Sequence, residues 1–250
     1  MTPDNIRIVM INTSHPGNIG AAARVMKNMG LTRLYLVQPK HFPNAEATAM
    51  ASGADDLLSR AVVCDSLPQA LEGCHLVLGT TARERKIQHE FIDAREAGLL
   101  SVSESKKQEV ALVFGRERIG LTNDELGLCH KLINIATNPD YSSLNVASAI
   151  QIVTYEVMMS LAALNNAEHY GAEVDSGMKS EVEYASSDNM ERFYQHLEQT
   201  LVDIDFLRIK QSPQLMSKLR HMYNRIRLEQ EELNILRGIL TKTQKLKNQD

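Results

Sequence analysis

The spacing of apolar residues divides the first half of the chain into alternating strand-like and helix-like segments. The strand-like segments are short, rich in leucine and β-branched residues, and apolar on both faces, as strands buried in a parallel sheet are. They stand at residues 6–11, 33–37, 61–63, 75–80, 110–114 and 132–136. Helical spacing lies between them, at 19–29, 66–73 and 123–129. This alternation predicts an α/β domain with a mostly parallel sheet.

A longer helical pattern closes this part of the chain. From Val146 onward, apolar residues recur at helical spacing, at Ile150, Val153, Val157, Leu161 and Leu164. Residues 144–164 contain neither glycine nor proline. We expect one long helix whose apolar stripe is wide enough to cover the core or a second subunit.

The composition then changes twice. Residues 165–189 contain six acidic residues, one lysine and few apolar ones, which favours a linker. Beyond it the spacing is helical again, with one apolar stripe formed by Met190, Phe193, Leu197 and Leu201. We therefore predict a domain at 1–164, an acidic linker at 165–189 and a small all-helical module at 190–250.

Charge is distributed unevenly between these parts. The chain carries a net charge of −4, but residues 206–250 hold ten Lys/Arg against four Asp/Glu, a net +6 that leaves −10 for the remainder. A basic module on an acidic body is a weak indication of a polyanionic partner. A solvated helical face gives the same composition, and charge alone favours that interpretation.

Composition narrows the class of protein further. The sequence has no run of about 18 apolar residues and no features of a secretory signal, so we expect no membrane contact and a cytoplasmic protein. The three cysteines, Cys64, Cys74 and Cys129, are scattered, and the eight histidines lack the spacing of metal ligands. Neither a disulfide framework nor a metal site is expected.

Residues 14–30, SHPGNIGAAARVMKNMG, directly follow the first predicted strand. Asn18 is a good helix N-cap, and a helix from 19 to 29 would place Gly20 and Arg24 on one face. Because helical side chains lean toward the N-terminus, Arg24 would fold over Gly20 toward the free N–H groups of the helix start, where anions bind. The alternative is a tight turn into an ordinary helix with a solvated Arg24.

Two further loops follow strand ends, where ligands bind in open α/β sheets. The run TARERK, at 81–86, crowds three cations and fits a ligand site and a solvated charge run equally well. In GRERIGLTNDEL, at 115–126, Gly115 permits a sharp turn, and Thr122 with Glu125 forms a capping box. Capping does not explain the charged loop between Gly115 and Gly120, which favours a functional role for Gly115 and Glu117.

A fourth loop, TNPDYSSLNVASAIQI, occupies residues 137–152. Ser142 or Ser143 is expected to cap the long helix, which leaves Tyr141, the second serine and Asn145 available for function. Together the loops supply glycines, hydroxyls, amides and arginines, but no Ser-His-Asp set. Binding of a cofactor by amide and hydroxyl groups, with arginines on an anion, therefore fits better than covalent or metal catalysis.

Three motifs in these loops resemble, in order and spacing, those of the SPOUT RNA methyltransferases of the 2′-O-ribose branch. They are NIGAAAR (18–24), LVFGRERIGL (112–121) and YSSLNVASAIQI (141–152). Over nearly the whole chain, the sequence is similar to the bacterial tRNA 2′-O-methyltransferases that act on nucleotide 32 of the anticodon loop. This resemblance implies a trefoil-knotted α/β domain, S-adenosylmethionine as cofactor, a homodimer, and tRNA as substrate.

The same resemblance implies roles for individual residues. The implied catalytic set is Arg24, Asn18, Glu117, Ser143 and Asn145. Cofactor contacts are implied for Thr80, Thr81, Ala82, Gly115, Ile135, Ser142, Ser143 and Leu144. RNA contacts are implied for Arg24, Arg83, Arg85 and Tyr141. The basic module would bind tRNA mainly through phosphates.

Arg24 is expected to act by its position. Arginine stays protonated in proteins and is therefore a poor base. We expect its guanidinium to grip the adjacent phosphate and to stabilise the developing alkoxide. The hydroxyl proton would leave to phosphate or water.

Three alternatives stay open at this point. A non-catalytic RNA-binding scaffold on the same fold would require an emptied site, whereas the loop motifs are complete. A nucleotide enzyme on a doubly wound sheet would require a G-x-G-x-x-G turn, which Gly17 and Gly20 do not supply. The same chemistry on rRNA or at another tRNA position is the third alternative.

Overall fold

The computed structural model describes residues 4–82, 90–169, 182–207 and 212–247, and its centre is a seven-stranded sheet. The strands are β1 (Ile6–Ile11), β2 (Arg33–Val37), β3 (Val62–Cys64), β4 (Cys74–Thr80), β5 (Phe91–Ile92), β6 (Glu109–Phe114) and β7 (Lys131–Ile133). They lie in the order β3-β2-β1-β6-β4-β7-β5, and every neighbouring pair is parallel. The predicted α/β class with a mostly parallel sheet is confirmed.

The six predicted strands are all present, and a seventh was missed. β5 has two residues, too few for a periodic pattern, and it pairs with β7 at the edge of the described sheet. β7 ends at Ile133, three residues before the predicted end. β1 is buried along its whole length because helices cover both faces of the sheet.

Seven helices and one 3-10 turn surround the described part of the sheet. They are α1 (Pro16–Asn28), α2 (Ala45–Ala51), α3 (Asp55–Ser59), α4 (Leu67–Leu71), α5 (Ala94–Ser105), α6 (Asn123–Leu126), the 3-10 turn (Pro139–Tyr141) and α7 (Val146–His169). The sequence pattern located α1, α4, α6 and α7 but not α2, α3 or α5. In α5, Gly98 and three serines interrupt the apolar residues.

The predicted long helix is confirmed as α7, which packs against both α1 and α5. Its segment Val146–Asn165 is long and apolar enough, by composition alone, to cross a membrane. Ile150, Val153 and Val157 of this segment are fully buried in the core on one face of the sheet. Packing of these residues in the core accounts for part of the hydropathy of α7.

Three helices follow: α8 (Ser187–Asp203), α9 (Ser212–Ile226) and α10 (Gln230–Lys247). They share a separate apolar core, and Met190, Phe193 and Leu197 are buried in it as predicted, with Leu201 half-buried beside them. Phe193 meets the ring of Tyr223 edge-on at 5.0 Å. Burial of one such side chain stabilises the module by about 1.5–3 kcal/mol. The described residues 182–189 of the acidic segment belong to this packed unit rather than to an open connection.

The helical module contacts the sheet domain through buried polar groups. Asn224 of α9 donates from Nδ2 to the carbonyl of Gly127 at 2.6 Å, and its Oδ1 accepts from the Tyr194 hydroxyl at 2.7 Å. Arg227 and Glu104 form an ion pair at 2.9 Å, with both side chains largely buried. The module is therefore held directly behind α6, which follows the GRERIG loop.

Candidate active site

A pocket of about 210 Å³ lies at the carboxyl ends of β4, β6 and β7. These strand ends lie side by side because the three strands are adjacent and parallel. The lining includes every residue with a predicted cofactor contact: Thr80, Thr81, Ala82, Gly115, Ile135, Ser142, Ser143 and Leu144. The structure brings these residues together, and their contact with a cofactor stays a prediction.

The GRERIG segment turns sharply at one wall of the pocket. Arg116 and Gly120 exchange backbone hydrogen bonds of 3.2 and 3.0 Å, which closes a tight loop over the intervening residues. A Cβ atom on Gly115 would lie 2.3 Å from the carbonyl carbon of Gly120 and 2.4 Å from the nitrogen of Leu121. Gly115 is thus required by the close approach of backbone, which explains the glycine that the sequence pointed to.

Glu117 projects from this loop to the segment that joins β1 to α1. Its carboxylate accepts from the Ser14 N–H at 3.0 Å, the Ser14 hydroxyl at 3.1 Å and the His15 N–H at 3.4 Å. The side-chain amide of Asn18 donates to it at 3.2 Å. The sequence predicted an anion at the start of the first helix, and in the structure that anion is the protein's own Glu117.

These hydrogen bonds set the charge state of Glu117. Burial alone would raise its pKa, but backbone N–H groups, including those of His15 and Ser14, together with the Asn18 amide, lower the pKa below the usual 4.5. Glu117 is therefore an ionised carboxylate at neutral pH, with its oxygens occupied by hydrogen bonds. Its contacts support a role in holding the loop and make it a weak proton acceptor.

We predict that Glu117→Gln destabilises the protein at neutral pH and does so less in acid. The folded-state pKa is lowered, so the carboxylate stabilises the fold above pH 4.5, and this contribution is lost as pH falls through the folded pKa. Thermal unfolding of both forms between pH 7 and pH 3 measures the difference. The matched change at the exposed Glu72 should show no such convergence. An equal difference in stability between wild type and Glu117→Gln at every pH would contradict the lowered pKa of Glu117.

Asn18 and Asn145 connect Glu117 to the long helix. α1 begins at Pro16 with His15 as N-cap, so Asn18 lies inside the first turn and the predicted Asn18 cap is wrong. Its Oδ1 accepts from Asn145 Nδ2 at 3.0 Å. Asn145 Oδ1 in turn accepts from the Ala147 N–H at 2.8 Å, so Asn145, and not Ser142 or Ser143, provides the cap bond at the start of α7.

Gly20 does not open the helix to a ligand, contrary to the prediction. A Cβ atom there would lie 2.0 Å from the carbonyl oxygen of Ala47, because α2 packs directly on this face of α1. The expected path of Arg24 over an open Gly20 is therefore wrong. Arg24 is exposed and forms no hydrogen bond or ion pair with the residues that the structure describes, so its guanidinium is available to a ligand.

The predicted RNA-contacting residues are only partly covered by the structure. Tyr141 ends the 3-10 turn and is 81% exposed, as a base-stacking side chain would need to be. Arg83 and Arg85 lie outside the described residues. Ser143 lines the pocket, and Asn145 borders it through its neighbour Leu144.

Sequence reasoning missed the group that surrounds Arg116. Its guanidinium contacts Asn12 and Glu125, and Glu125 had been assigned only to a capping box, which is also present. Asn12 is 104 residues from Arg116, so no local pattern could join them. Among the described residues, no group of three or more His, Cys, Asp or Glu side chains is arranged to hold a metal ion.

The parallel sheet, with a pocket at the carboxyl ends of its strands, is the α/β arrangement in which enzymes bind ligands. Residues 5–155 match the SpoU rRNA Methylase family, and the chain belongs to that family. Residues 188–250 match a second family, described as the C-terminal domain of the tRNA methyltransferase TrmJ. The resemblance inferred from the three motifs is thereby confirmed.

Individual relatives agree over almost the full chain. The curated tRNA (cytidine/uridine-2'-O-)-methyltransferase TrmJ of Pectobacterium atrosepticum is 51% identical, with coverage of 97% of this chain and 98% of the relative. The protein of the same name from Salmonella choleraesuis is 52% identical, with coverage of 94% and 95%. The crystal structure of TrmJ from Z. mobilis ZM4 is 30% identical, has a TM-score of 0.81, and covers 94% of this chain and 97% of its own.

Proposed function

We propose that this protein methylates the ribose 2′-oxygen of cytidine or uridine in tRNA, with S-adenosylmethionine as methyl donor, at nucleotide 32 of the anticodon loop. The observation that carries the proposal is the single pocket that contains all eight residues with an implied cofactor contact. The curated relatives named as tRNA (cytidine/uridine-2'-O-)-methyltransferases support the substrate class, since they match both parts of the chain.

The pocket fits S-adenosylmethionine in its chemistry. The apolar side chains of Ile133, Ile135 and Leu144 suit an adenine ring, and the backbone and hydroxyl groups of the loops suit its polar edges and its ribose. When bound, this donor supplies a methyl group on a positively charged sulfur, which a ribose 2′-oxygen accepts by direct displacement. Thr81 is held in place as its N–H donates to the carbonyl of Ile133 at 3.0 Å.

The chain's own residues orient the ribose and stabilise charge. Arg24 stands on the helix that Glu117 and Asn145 tie to the pocket loops through Asn18. Because a guanidinium only donates hydrogen bonds in proteins, Arg24 acts as a donor to the phosphate beside the reacting ribose and to the developing alkoxide. Because the Glu117 carboxylate is already hydrogen-bonded, the hydroxyl proton leaves to phosphate or water.

The helical module would bind tRNA phosphates outside the anticodon. We predict that the double change Lys242→Gln and Lys245→Gln weakens tRNA binding and lowers the slope of log K against log salt by about 1–2. Both lysines are exposed on α10. Filter binding over a range of salt concentrations measures the slope.

A matched pair of lysines serves as the control. Lys106 and Lys107 are adjacent and exposed where α5 leads into β6, at the edge of the sheet opposite the pocket. Their double change to glutamine should leave the slope at the wild-type value. Equal effects of the two pairs would contradict a specific role of the module.

The active form is a homodimer that acts in the cytoplasm, without membrane contact. The outward face of α7 carries Tyr155, 44% exposed, and Met159, 45% exposed, one turn apart on a helix whose Ile150, Val153 and Val157 lie in the core. Two such apolar side chains on the longest described helix suit a second copy of the chain. Sedimentation equilibrium of the purified protein tests the dimer. The family also implies a trefoil knot in the sheet domain, which stays a prediction.

Mapping of ribose methylation in tRNA from a strain that lacks this gene tests the function. The proposal predicts loss of 2′-O-methylation at nucleotide 32 and its return with the intact gene. Loss at another tRNA position or in rRNA would correct the substrate. An unchanged methylation map would favour a non-catalytic RNA-binding scaffold instead.

A further inference from the structure

Arg116 lies beside the pocket, as an arginine that contacts RNA would. It is one residue from Glu117 and lines the same cavity. Its surroundings nevertheless differ from those of a free cation, because its side chain is only 24% exposed and its partner Glu125 only 14%.

The guanidinium of Arg116 is almost fully engaged within the protein. Nε and Nη2 donate to Asn12 Oδ1 at 3.0 and 2.7 Å. Nη1 and Nη2 donate to the two carboxylate oxygens of Glu125 at 2.8 and 2.9 Å. The guanidinium thus donates four hydrogen bonds to protein atoms, in the bidentate geometry that only a planar guanidinium provides.

Both partners of Arg116 are themselves fixed. Glu125 accepts from the Thr122 N–H at 2.7 Å, and burial, which would raise its pKa, is outweighed by hydrogen bonds from Arg116 and Thr122 that lower it. Asn12 adopts a left-handed backbone conformation at φ 46°, and its amide donates to the backbone and side-chain oxygens of Gln38 at 3.2 Å. The Asn12 side chain therefore links the carboxyl ends of β1, β2 and β6, because it contacts Gln38 after β2 and Arg116 after β6.

We propose that Arg116 is a positioning residue for methyl transfer, not an RNA or cofactor contact. It fixes the 115–121 loop to Asn12, so that Glu117 meets Ser14, His15 and Asn18 and the helix bearing Arg24 is held at the pocket. This inference rests on the proposed function, because the loop and helix that it aligns are those of the donor pocket and the catalytic arginine.

Arg116→Lys tests this role because lysine keeps the charge but cannot bridge Asn12 and Glu125. We expect kcat to fall at least about tenfold, since small misplacements of reacting groups are costly. We expect tRNA affinity within about twofold of wild type and an unchanged salt slope. In the protein without ligands, hydrogen exchange of the Gly120 amide, which is bonded to the Arg116 carbonyl, should accelerate.

Further variants keep the test decisive. Asn12→Ala should give the same pattern, and its combination with Arg116→Lys should be no worse than the more severe single change, because both break one link. Glu125→Gln retains the size of the side chain and provides the same readouts if the lysine variant does not fold. Arg60→Gln, a loss of one exposed arginine elsewhere on the surface, is the control and should match wild type.

The competing outcomes are distinct. Full turnover by Arg116→Lys, or a drop of about 1 in the salt slope on Arg116→Gln with kcat retained, would overturn the positioning role in favour of a phosphate contact. Wild-type protein in the same assay separates failure of the Arg116 role from failure of the proposed function. Absence of transfer by wild type would overturn the proposed function, whereas normal wild-type transfer with a normal Arg116→Lys overturns only the role of Arg116.

Discussion

Replacement of Arg24 by lysine should lower kcat about a hundredfold or more while S-adenosylmethionine binds as in wild type. Lysine retains the positive charge but loses the planar pair of donors that can hold a phosphate and a developing alkoxide together. Losses of about 10²–10³ are typical when a donor that stabilises transition-state charge is removed. Single-turnover kinetics on unmodified tRNA, with calorimetry of the methyl donor, measures the two effects separately.

The control for this prediction lies on the same helix. Lys27 is paired with Asp56 at 2.7 Å, so Lys27→Arg changes a cation of α1 that is already engaged. It should turn over as wild type does. Near-full activity of Arg24→Lys would show that neither bidentate grip nor charge stabilisation by the guanidinium is needed.

Gly115→Ala should abolish methyl-donor binding and destabilise the sheet domain. The added Cβ would overlap the backbone of Gly120 and Leu121, at 2.3 and 2.4 Å, and backbone cannot rotate away as a side chain can. Overpacking of this kind costs about 1–3 kcal/mol, and relief would require the loop that lines the pocket to open. Thermal unfolding and calorimetry with S-adenosylmethionine measure the two consequences.

Gly238→Ala is the matched control for the glycine change. A Cβ atom at Gly238 on α10 meets nothing within 4 Å, and alanine is the better helix former by about 1 kcal/mol. This variant should bind the donor normally and be at least as stable as wild type. Donor binding by Gly115→Ala at wild-type affinity would mean that the loop is not part of the donor site.

The sheet and its ligand edge were predictable because their signals are local. Runs such as 6–11 and 110–114 are apolar on both faces, as strands buried in a covered parallel sheet are. Ligand loops at the carboxyl ends of such strands follow from topology. The pocket-lining glycine and serine residues could therefore be located from strand ends and loop composition.

Errors arose where the deciding contact is distant in sequence. Gly20 was interpreted as space for a ligand, but its neighbour is Ala47, from a helix that the pattern did not reveal. The anion at the start of α1 was expected to be part of a ligand. It is instead the carboxylate of Glu117, which contacts Ser14 although the two residues are 103 positions apart in sequence. Small residues and free N–H groups indicate that another group approaches closely. Only the tertiary structure shows whether that group is a ligand or another part of the protein.

One measurement tests the central claim most directly. Purified full-length protein would be incubated with S-adenosylmethionine and an unmodified tRNA transcript that carries cytidine or uridine at nucleotide 32, and the product mapped by mass spectrometry. A single ribose 2′-O-methyl group at nucleotide 32, absent with the Arg24→Lys variant, is the predicted result. No transfer to the tRNA, together with no calorimetric binding of S-adenosylmethionine, would contradict the account.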